Sequence, residues 1–318
     1  MKAVITGATG HIGQYLVLKL ARQGWPVVAA SRSGRLPETP FESKTAAGQV
    51  SPMVLDVTSD NAVAKLAAQL GPDVALVHLA AWHPEATAAS NSEDRRSLIE
   101  VNVMGTLRVL EAVRIAGASA VVYASTFEVY GVPTGLQPVV EDSETHPRSD
   151  YGVTKLAGED HLFAFATEQN IRAVALRMPA IYGPGERVPR ALPNFLRSVA
   201  RGERPRIYGD GSDRRDELHA QDAAFSIERA LVANCSGIYN VSDGHPHSID
   251  ELARTAMEVA DMNGEPEFLP ENKIRFDFHM NIDKIKAELG FEPEVALIDG
   301  MRQELRWIRA SASAAVTA

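Results

Sequence analysis

Cysteine is almost absent from this sequence, since Cys235 is the single one among 318 residues. One cysteine cannot form an internal disulfide and has no partner of its own kind for holding a metal, so we expect an incidental thiol and no metal site. Long apolar runs are absent too, because none approaches the roughly 20 residues that span a bilayer. With no charged and apolar leader either, the sequence predicts a cytoplasmic protein without a membrane partner.

An excess of positive charge is also missing. The chain carries 41 acidic against 32 basic residues, for a formal net charge of -9. Nucleic-acid binding and docking on anionic lipid both require a basic face, so we expect neither partner. Hydrophobic residues make up 45% of the 318 positions, which is enough for a substantial core. The composition therefore predicts one large domain or two closely packed domains.

Glycines recur at a functional spacing near the start of the chain. An apolar strand at Ala3 to Ile5 runs into Thr6-Gly7-Ala8-Thr9-Gly10-His11-Ile12-Gly13, after which a helix is predicted. Glycines at this spacing let a dinucleotide pyrophosphate approach the backbone at the positive end of a helix. We therefore predict a nicotinamide dinucleotide as cofactor, in contact with Gly7, Thr9, Gly10, His11, Ile12 and Gly13.

Strand-like and helix-like segments alternate along the first half of the chain. This alternation is typical of parallel strands joined by crossover helices, so the predicted fold class is α/β, a doubly wound parallel (Rossmann) sheet. Strands are predicted at Ala3 to Ile5, Val27 to Ala30, Met53 to Leu55, Val74 to His78, Ala120 to Ala124 and Ala173 to Leu176. Helices are predicted at Ile12 to Gln23, Asn61 to Leu70, Ser97 to Ala116 and Tyr151 to Gln169.

The texture of the sequence changes after Arg177, where proline and glycine interrupt the segments. A strand at Ile238 to Val241 is nevertheless expected to rejoin the sheet. The prediction is therefore a dinucleotide-binding Rossmann domain and a smaller, discontinuous C-terminal substrate-binding domain. The boundaries assigned to them are 1–176 with about 213–242 for the first, and 177–212 with 243–318 for the second.

Tyr151 and Lys155 lie four residues apart in a predicted helix, so their side chains share one face. A free tyrosine keeps its proton until roughly pH 10, but a neighbouring positive charge favours the phenolate and allows proton transfer near neutral pH. Together with a dinucleotide turn, this pair indicates hydride chemistry. Thr126, at the end of the fifth strand, is the candidate to bind a substrate oxygen, because ligands of such sheets lie at that edge.

Two positions bear on the adenosine end of the cofactor. Eighteen residues past Gly13, where an acidic side chain would mark an NAD enzyme, the sequence has Ser31 and Arg32. Arginine forks suit phosphate, so NADP is favoured slightly and NAD stays open. Asp56 is expected to accept a hydrogen bond from adenine, with a helix cap as the alternative.

Small residues after the fourth strand would admit the nicotinamide end of the cofactor, namely Leu79, Ala80 and Ala81.

These features together resemble the extended short-chain dehydrogenase/reductase family, often labelled NAD-dependent epimerase/dehydratase. The resemblance covers nearly the whole chain. The matching residues are Thr6 to Gly13, Asp56-Val57, His78 to Ala81, Asn102, Ser125 to Gly131, Glu141-Asp142, Pro147, Ser149, Tyr151 to Lys155, Arg177, Tyr182 to Gly185, Gly209 to Gly211, Arg215-Asp216, His219 and Asp222.

The family resemblance implies a role for each matching residue. Tyr151 would be the catalytic acid and base, Lys155 its electrostatic partner and a ribose ligand, and Thr126 the third member. Further residues expected at the cofactor are Val57, Asn102 and Pro179. Residues expected at the substrate are Ser125, Thr126, Glu128 and Arg215. For Asn102 and Glu128, a structural hydrogen bond is the alternative. The family usually dimerises through two long helices, here Ser97 to Ala116 and Tyr151 to Gln169, so a homodimer is expected.

The substrate is predicted to be a sugar, and Arg215, suited to a diphosphate, favours a nucleotide sugar. Ala180 stands where nucleotide-sugar enzymes commonly carry an asparagine that contacts the substrate, so polyols and sugar acids stay open. Phe127 occupies the place of a dehydratase's acidic proton donor, which disfavours elimination of water. Epimerisation is therefore favoured, with an NADP-dependent sugar or polyol dehydrogenase or reductase as the alternative and an inactive cofactor-sensing regulator as the remote one. His83, past the fourth strand, is interpreted as a surface histidine outside the site, with a place in the pocket lining as the alternative.

Overall fold

A computed structural model describes residues 2–36, 49–84, 91–132, 138–270 and 277–317. The strands are β1 (Lys2–Thr6), β2 (Val27–Ser31), β3 (Val50–Val54), β4 (Val74–His78), β5 (Ala120–Thr126), β6 (Arg172–Met178), β7 (Ala180–Tyr182), β8 (Arg206–Tyr208), β9 (Arg214–Arg215), β10 (Glu217–His219), β11 (Gly237–Asn240), β12 (His247–Ser248) and β13 (Glu267–Leu269). The helices are α1 (His11–Arg22), α2 (Ala62–Ala67), α3 (Ser92–Leu98), α4 (Gly105–Ala116), α5 (Asp150–Gln169), α6 (Ala191–Ala200), α7 (Ala220–Val232), α8 (Ile249–Val259), α9 (Asp283–Leu289) and α10 (Leu297–Thr317).

Seven of these strands form one parallel sheet in the order β11-β6-β5-β4-β1-β2-β3. Every neighbouring pair in the sheet runs parallel. The predicted doubly wound α/β fold is confirmed, and β11 rejoins the sheet beside β6 as the sequence indicated. The strand order reverses between β1 and β4, and ligands of such sheets bind in the crevice at the carboxyl ends of the strands at that point.

Helices cover both faces of the sheet because successive strand residues point in opposite directions. In β1, Ala3 and Ile5 join a buried cluster with α1 and α7, whereas Val4 joins a second cluster with α2, α4 and α5. Both clusters are almost free of solvent. The sheet is therefore a rigid platform that holds the loops at its carboxyl edge in place.

A third hydrophobic cluster lies among α6, α8 and α10, away from the sheet. Its members include Leu196, Leu252, Met257 and Leu305, all of which are buried. This cluster belongs to the segments assigned to the substrate-binding domain, although the domain boundaries themselves stay a prediction. No helix within the described residues combines the length and the apolar character needed to cross a membrane.

The predicted helix Ser97 to Ala116 differs from the observed one. The helical segment begins earlier, at Ser92, where Asn91 forms a capping box with Asp94, and a π-helical stretch at Ile99–Met104 separates α3 from α4. The side chain of Asn102, within that stretch, is bonded to the backbone of Trp82. A wider turn of this kind is common near functional sites, and apolar periodicity in a sequence does not reveal it.

A buried ion pair joins α5 to the sheet. The Arg177 guanidinium, on β6, donates from Nη2 to Glu159 Oε2 on α5 at 2.7 Å, and its Nε also contacts both oxygens of that carboxylate. The two side chains are only 3% and 2% exposed. The Ser125 hydroxyl donates to the same carboxylate. Charges this deep are stable only while both partners and their hydrogen bonds persist.

Glu159→Gln is expected to destabilise the protein by about 3 kcal/mol, because it leaves the Arg177 guanidinium buried without a counter-charge. Glu111→Gln is the matched control, since the Arg114 to Glu111 pair is 49% and 43% exposed. The control is expected to leave stability unchanged. Chemical denaturation of both variants measures the difference, and equal stabilities would show that the buried pair does not hold α5 to the sheet.

Candidate active site

The glycine turn between β1 and α1 leaves no room for larger side chains. Gly7 has a φ of 70°, and a Cβ there would lie 2.7 Å from the Ala80 nitrogen. A Cβ at Gly13 would lie 2.4 Å from the Gly7 oxygen. Helix α1 starts at His11 with no side-chain cap and no acidic residue in its first turn. Free N–H groups beside this tight backbone fit the pyrophosphate of a dinucleotide.

Two cavities meet at this turn. The first has a volume of about 560 Å³ and the second about 250 Å³, and Gly7, Gly10, Leu79 and Ala81 line both. Predicted residues in the first cavity are Gly7, Thr9, Gly10, Ser31, Arg32, Asp56, Val57, Leu79, Ala80 and Ala81. Predicted residues in the second are Gly7, Gly10, His11, Ile12, Gly13, Leu79, Ala81, Ser125, Thr126, Tyr151, Lys155 and Pro179. An extended dinucleotide laid across the turn would therefore reach from Asp56 to Tyr151.

The first cavity has the chemistry expected of an adenosine site. Asp56 accepts hydrogen bonds from the Thr58 backbone and hydroxyl at 3.0 and 2.8 Å. These bonds, with the positive charges of Arg32 and Arg108, lower the pKa of Asp56 and keep it ionised. Ser31 Oγ accepts from the Gly34 nitrogen at 3.2 Å, which shapes the loop that carries Arg32.

The second cavity contains Tyr151 and Lys155 on α5. Ser149 caps this helix by accepting from the Gly152 nitrogen at 2.9 Å, so the first turn that carries Tyr151 is well formed. Lys155 is 3% exposed, and its Nζ lies 3.9 Å from the centre of the Tyr123 ring. The predicted pair therefore faces one cavity together with Thr126.

Burial changes the charge of both groups. Burial lowers the pKa of Lys155 from 10.5 to about 7, while the negative charge of Glu159 opposes that shift. Burial also raises the pKa of Tyr151, the Glu128 charge raises it further, and Arg190 opposes the increase. Burial therefore favours the protonated phenol of Tyr151 and weakens the hold of the Lys155 amine on its proton. A proton can move here once another positive charge enters the cavity.

The two hydroxyls at the end of β5 differ in what they can do. Ser125 donates to the Glu159 carboxylate, so its proton is committed to the buried ion pair although the residue lines the cavity. Thr126 Oγ1 accepts from the Glu128 nitrogen at 3.3 Å and keeps its own proton for another partner. Thr126 is therefore the hydroxyl that can donate to a substrate oxygen.

Three predicted residues line neither cavity. Asn102 is 1% exposed. Its side-chain oxygen accepts a hydrogen bond from the Trp82 nitrogen, and its side-chain nitrogen donates to the Trp82 carbonyl and to the Thr154 hydroxyl. These bonds indicate a structural role in support of the site. The Glu128 carboxylate accepts from Ser149, the cap of α5. Arg215 donates to Asp213 at 3.2 Å and to the Arg214 carbonyl at 2.8 Å. Side-chain hydrogen bonds that form only on folding account for these positions, and the substrate roles of Glu128 and Arg215 stay predictions.

Sequence interpretation missed two residues of the second cavity. His83 was expected on the surface, but its ring packs edge to face against Tyr151 with centroids 4.5 Å apart. Arg190, immediately before α6, lines the same cavity. The position of His83, five residues past the end of β4, was an available signal, whereas nothing in the local pattern marked Arg190.

A segment after β7 covers the glycine turn. His11 Nδ1 lies 3.1 Å from Glu186 Oε2, and its Nε2 lies 3.2 Å from the Gly183 carbonyl. The Tyr15 hydroxyl, on α1, donates to the Pro184 carbonyl at 2.9 Å. These contacts tie the start of α1 to the wall of the second cavity that carries Glu186.

A match to a family model decides the family. The model described as the NAD dependent epimerase/dehydratase family matches residues 3–242. The chain belongs to this family. Membership confirms the resemblance seen in the motifs and makes the protein an enzyme of the extended short-chain dehydrogenase/reductase type.

Relatives of this epimerase/dehydratase family member cover nearly its whole length. A UDP-glucose 4-epimerase of Mycolicibacterium smegmatis is 31% identical over 97% of this chain and 99% of that protein. The structure of MoeE5 in complex with UDP-glucuronic acid and NAD is 30% identical, with a TM-score of 0.83 over 98% of this chain and 100% of MoeE5. A UDP-glucuronic acid 4-epimerase from Bacillus cereus, in complex with NAD, is 25% identical, with a TM-score of 0.82 over 98% and 99%. NAD in both structures supports a nicotinamide dinucleotide as the cofactor.

Lys155→Met is expected to stabilise the ligand-free protein at pH 6 by on the order of 3 kcal/mol, and by little at pH 10. The folded pKa of Lys155, about 7, lies below the ordinary 10.5, so the unfolded chain binds more protons in that window. Wild-type stability from this group therefore rises from pH 7 to pH 10.5 and is lowest below pH 7.

Denaturant titrations at both pH values measure this effect. Lys65→Met is the control, because Lys65 is exposed on α2, and it is expected to leave the pH profile unchanged. Equal stabilities of wild type and Lys155→Met at pH 6 would contradict the conclusion that burial of the Lys155 ammonium group destabilises the protein.

Proposed function

We propose that this enzyme is an NAD(P)-dependent epimerase that acts at a carbinol carbon of a nucleotide sugar. The observation that carries this proposal is the shared cavity of Tyr151, Lys155 and Thr126, which continues from the glycine turn. The relatives support it, since one that is 31% identical is named as a UDP-glucose 4-epimerase and one that is 25% identical as a UDP-glucuronic acid 4-epimerase.

The side chains of the second cavity can manage the proton of such a reaction. Tyr151 accepts the proton of the substrate hydroxyl when that carbon is oxidised and returns it when the carbon is reduced. Lys155 stabilises the phenolate by its positive charge, and Thr126 holds the substrate oxygen by donating a hydrogen bond. The nicotinamide, when bound, supplies the hydride acceptor and donor. Epimerisation leaves no net oxidation, so the sugar is released at its original oxidation level.

A dehydrogenase or reductase with net redox is the second candidate, and the loop after β2 favours it. Ser31 and Arg32 offer a hydroxyl and a guanidinium where an acidic residue would mark an NAD enzyme. NADP commonly serves net reduction, so a 2′-phosphate site would point to that activity. Ala180, on β7, stands where nucleotide-sugar enzymes commonly carry an asparagine that contacts the substrate. Free sugar acids and polyols therefore stay within the proposal as substrates.

The proposal includes a homodimer formed through α4 and α5. Large apolar side chains are exposed along this part of the surface, namely Ile99 at 53%, Met104 at 40%, Ile115 at 56% and Val153 at 50%. Two such helices from each copy would cover these side chains. A cytoplasmic location and the division at residues 176 and 242 are part of the same proposal.

Tyr151→Phe is expected to lower turnover at least a hundredfold while dinucleotide affinity stays within about twofold, because the phenol carries the proton and does not hold the pyrophosphate. Turnover is measured as sugar product formed from candidate nucleotide sugars, with nicotinamide absorbance followed in parallel. Product without a change in absorbance indicates an epimerase, whereas a stoichiometric change indicates a dehydrogenase. Undiminished activity of Tyr151→Phe would refute the catalytic assignment, and binding without turnover in the wild type would favour the inactive regulator.

Arg32→Ala is expected to weaken NADP binding about tenfold and leave NAD binding unchanged, because only NADP presents a phosphate to that guanidinium. Arg22→Ala, at the exposed end of α1, is the control and should change neither affinity. Calorimetric titration with each dinucleotide gives both constants. An equal loss for NAD and NADP would show that Arg32 contacts a group that the two cofactors share.

A further inference from the structure

Arg190 is a cation without a partner in the catalytic cavity. It directly precedes α6, is half-buried, and lines the cavity of about 250 Å³ that also contains His83, Tyr151 and Lys155. Within the described part of the chain, its guanidinium has no hydrogen-bond acceptor and no carboxylate within salt-bridge distance. An arginine in such a position usually binds a carboxylate or a phosphate, because its fork of donors is otherwise unsatisfied.

The acidic groups near Arg190 do not neutralise it. Glu186 is engaged by His11 at 3.1 Å and by the Val188 nitrogen. The Glu128 carboxylate accepts a hydrogen bond from the Ser149 hydroxyl. Burial raises the pKa of Glu217 to about 8, and the charge of Arg190 opposes that increase. Glu186 and Glu217 feel the charge of Arg190, but none of the described carboxyl groups forms an ion pair or a hydrogen bond with its guanidinium, so the guanidinium donors are left for a ligand.

Two neighbours show that this charge reaches the cavity. Burial first, and then the charge of Arg190, lower the pKa of His83. Arg190 also opposes the increase in the pKa of Tyr151. His83 Nδ1 lies 2.7 Å from the Pro84 carbonyl, which can only accept, so Nδ1 carries the proton and the neutral ring leaves Nε2 as an acceptor. His83 therefore supplies no charge of its own, and Arg190 is a cation that lines the same cavity as Tyr151.

Lys155 does not compete for the same anion. Its ammonium lies 3.9 Å from the centre of the Tyr123 ring, on the side of the cavity formed by α5 and the sheet. Lys155 is 3% exposed and lies four residues from Glu159 in the sequence. The negative charge of Glu159 attracts the ammonium group. An anionic ligand group in this cavity would consequently meet Arg190.

We propose that Arg190 binds a carboxylate of the substrate, so that the sugar that reacts at Tyr151 is a sugar acid such as a uronic acid. The inference rests on the proposed function, because it names the substrate class of the same site. A carboxylate matches the guanidinium fork by two parallel hydrogen bonds, whereas a neutral hydroxymethyl group at the same carbon leaves the fork unpaired. Arg190 is therefore a specificity-determining residue that distinguishes acidic from neutral sugars.

The test compares binding of matched acid and neutral sugars to the NAD-loaded protein by calorimetry. The pairs are UDP-glucuronate with UDP-glucose, and free glucuronate with free glucose. The wild type is expected to bind the acid at least about tenfold more tightly in one of the pairs. Arg190→Met is expected to remove that preference by weakening acid binding about thirtyfold, with neutral-sugar binding changed less than about twofold. Arg190→Lys should keep part of the preference, because it retains the charge and loses the fork.

Arg187→Met is the matched control, since Arg187 is exposed a few residues away and lines a different cavity. It is expected to keep the full acid preference. Circular dichroism and the thermal shift induced by NAD establish whether each variant is folded. If Arg190→Met does not fold, the acid preference of Arg190→Lys is compared with that of the wild type.

Two results would overturn the carboxylate assignment. One is the absence of acid preference in both pairs. The other is an equal loss of acid and neutral binding in Arg190→Met, which would place a phosphate or another shared group on Arg190. Failure of the proposed function is seen separately, because it appears as no turnover of any sugar, whereas the acid preference is measured in binding alone.

Discussion

The geometry of the active site depends on the ion pair between Glu159 and Arg177. Tyr151, Lys155 and Glu159 follow one another at intervals of four residues on α5, so they share one face of that helix. Glu159 is bonded to Arg177 on β6 and receives the Ser125 hydroxyl from β5. These bonds set the rotation of α5 about its axis. The phenol consequently faces the cavity and the amine lies beneath it.

The cavity is electrostatically unbalanced in the ligand-free protein. Burial favours the neutral forms of both Tyr151 and Lys155, which is the opposite of the charge pattern that proton transfer requires. Arg190 adds a positive charge that is not ion-paired with any carboxylate among the described residues. A cofactor that brings positive charge and a substrate that brings negative charge would both be stabilised here. The low polarity of the cavity strengthens these electrostatic interactions.

Much of the fold could be predicted because it follows from local patterns. The strands β1, β2, β4, β5 and β6 coincide with apolar, β-branched runs, and the parallel order follows from their alternation with helices. The boundaries moved where a side chain bonded to a distant backbone. Asn102 is the example, since its bonds to Trp82 accompany a π-helical stretch that interrupts the predicted helix. Apolar periodicity carries no information about such a long-range bond.

The sequence by itself determined the Rossmann sheet, the glycine turn and the pairing of Tyr151 with Lys155, because each depends on residues close together in the chain. Only the tertiary structure decided which other side chains enter the cavity. His83 and Arg190 come from loops after β4 and β7. Only the position of His83 shortly after a strand was a signal in the sequence, and the local pattern around Arg190 gave none. The folded chain brings them to Tyr151, because loops at the carboxyl ends of parallel strands converge on the same crevice whatever their separation in sequence.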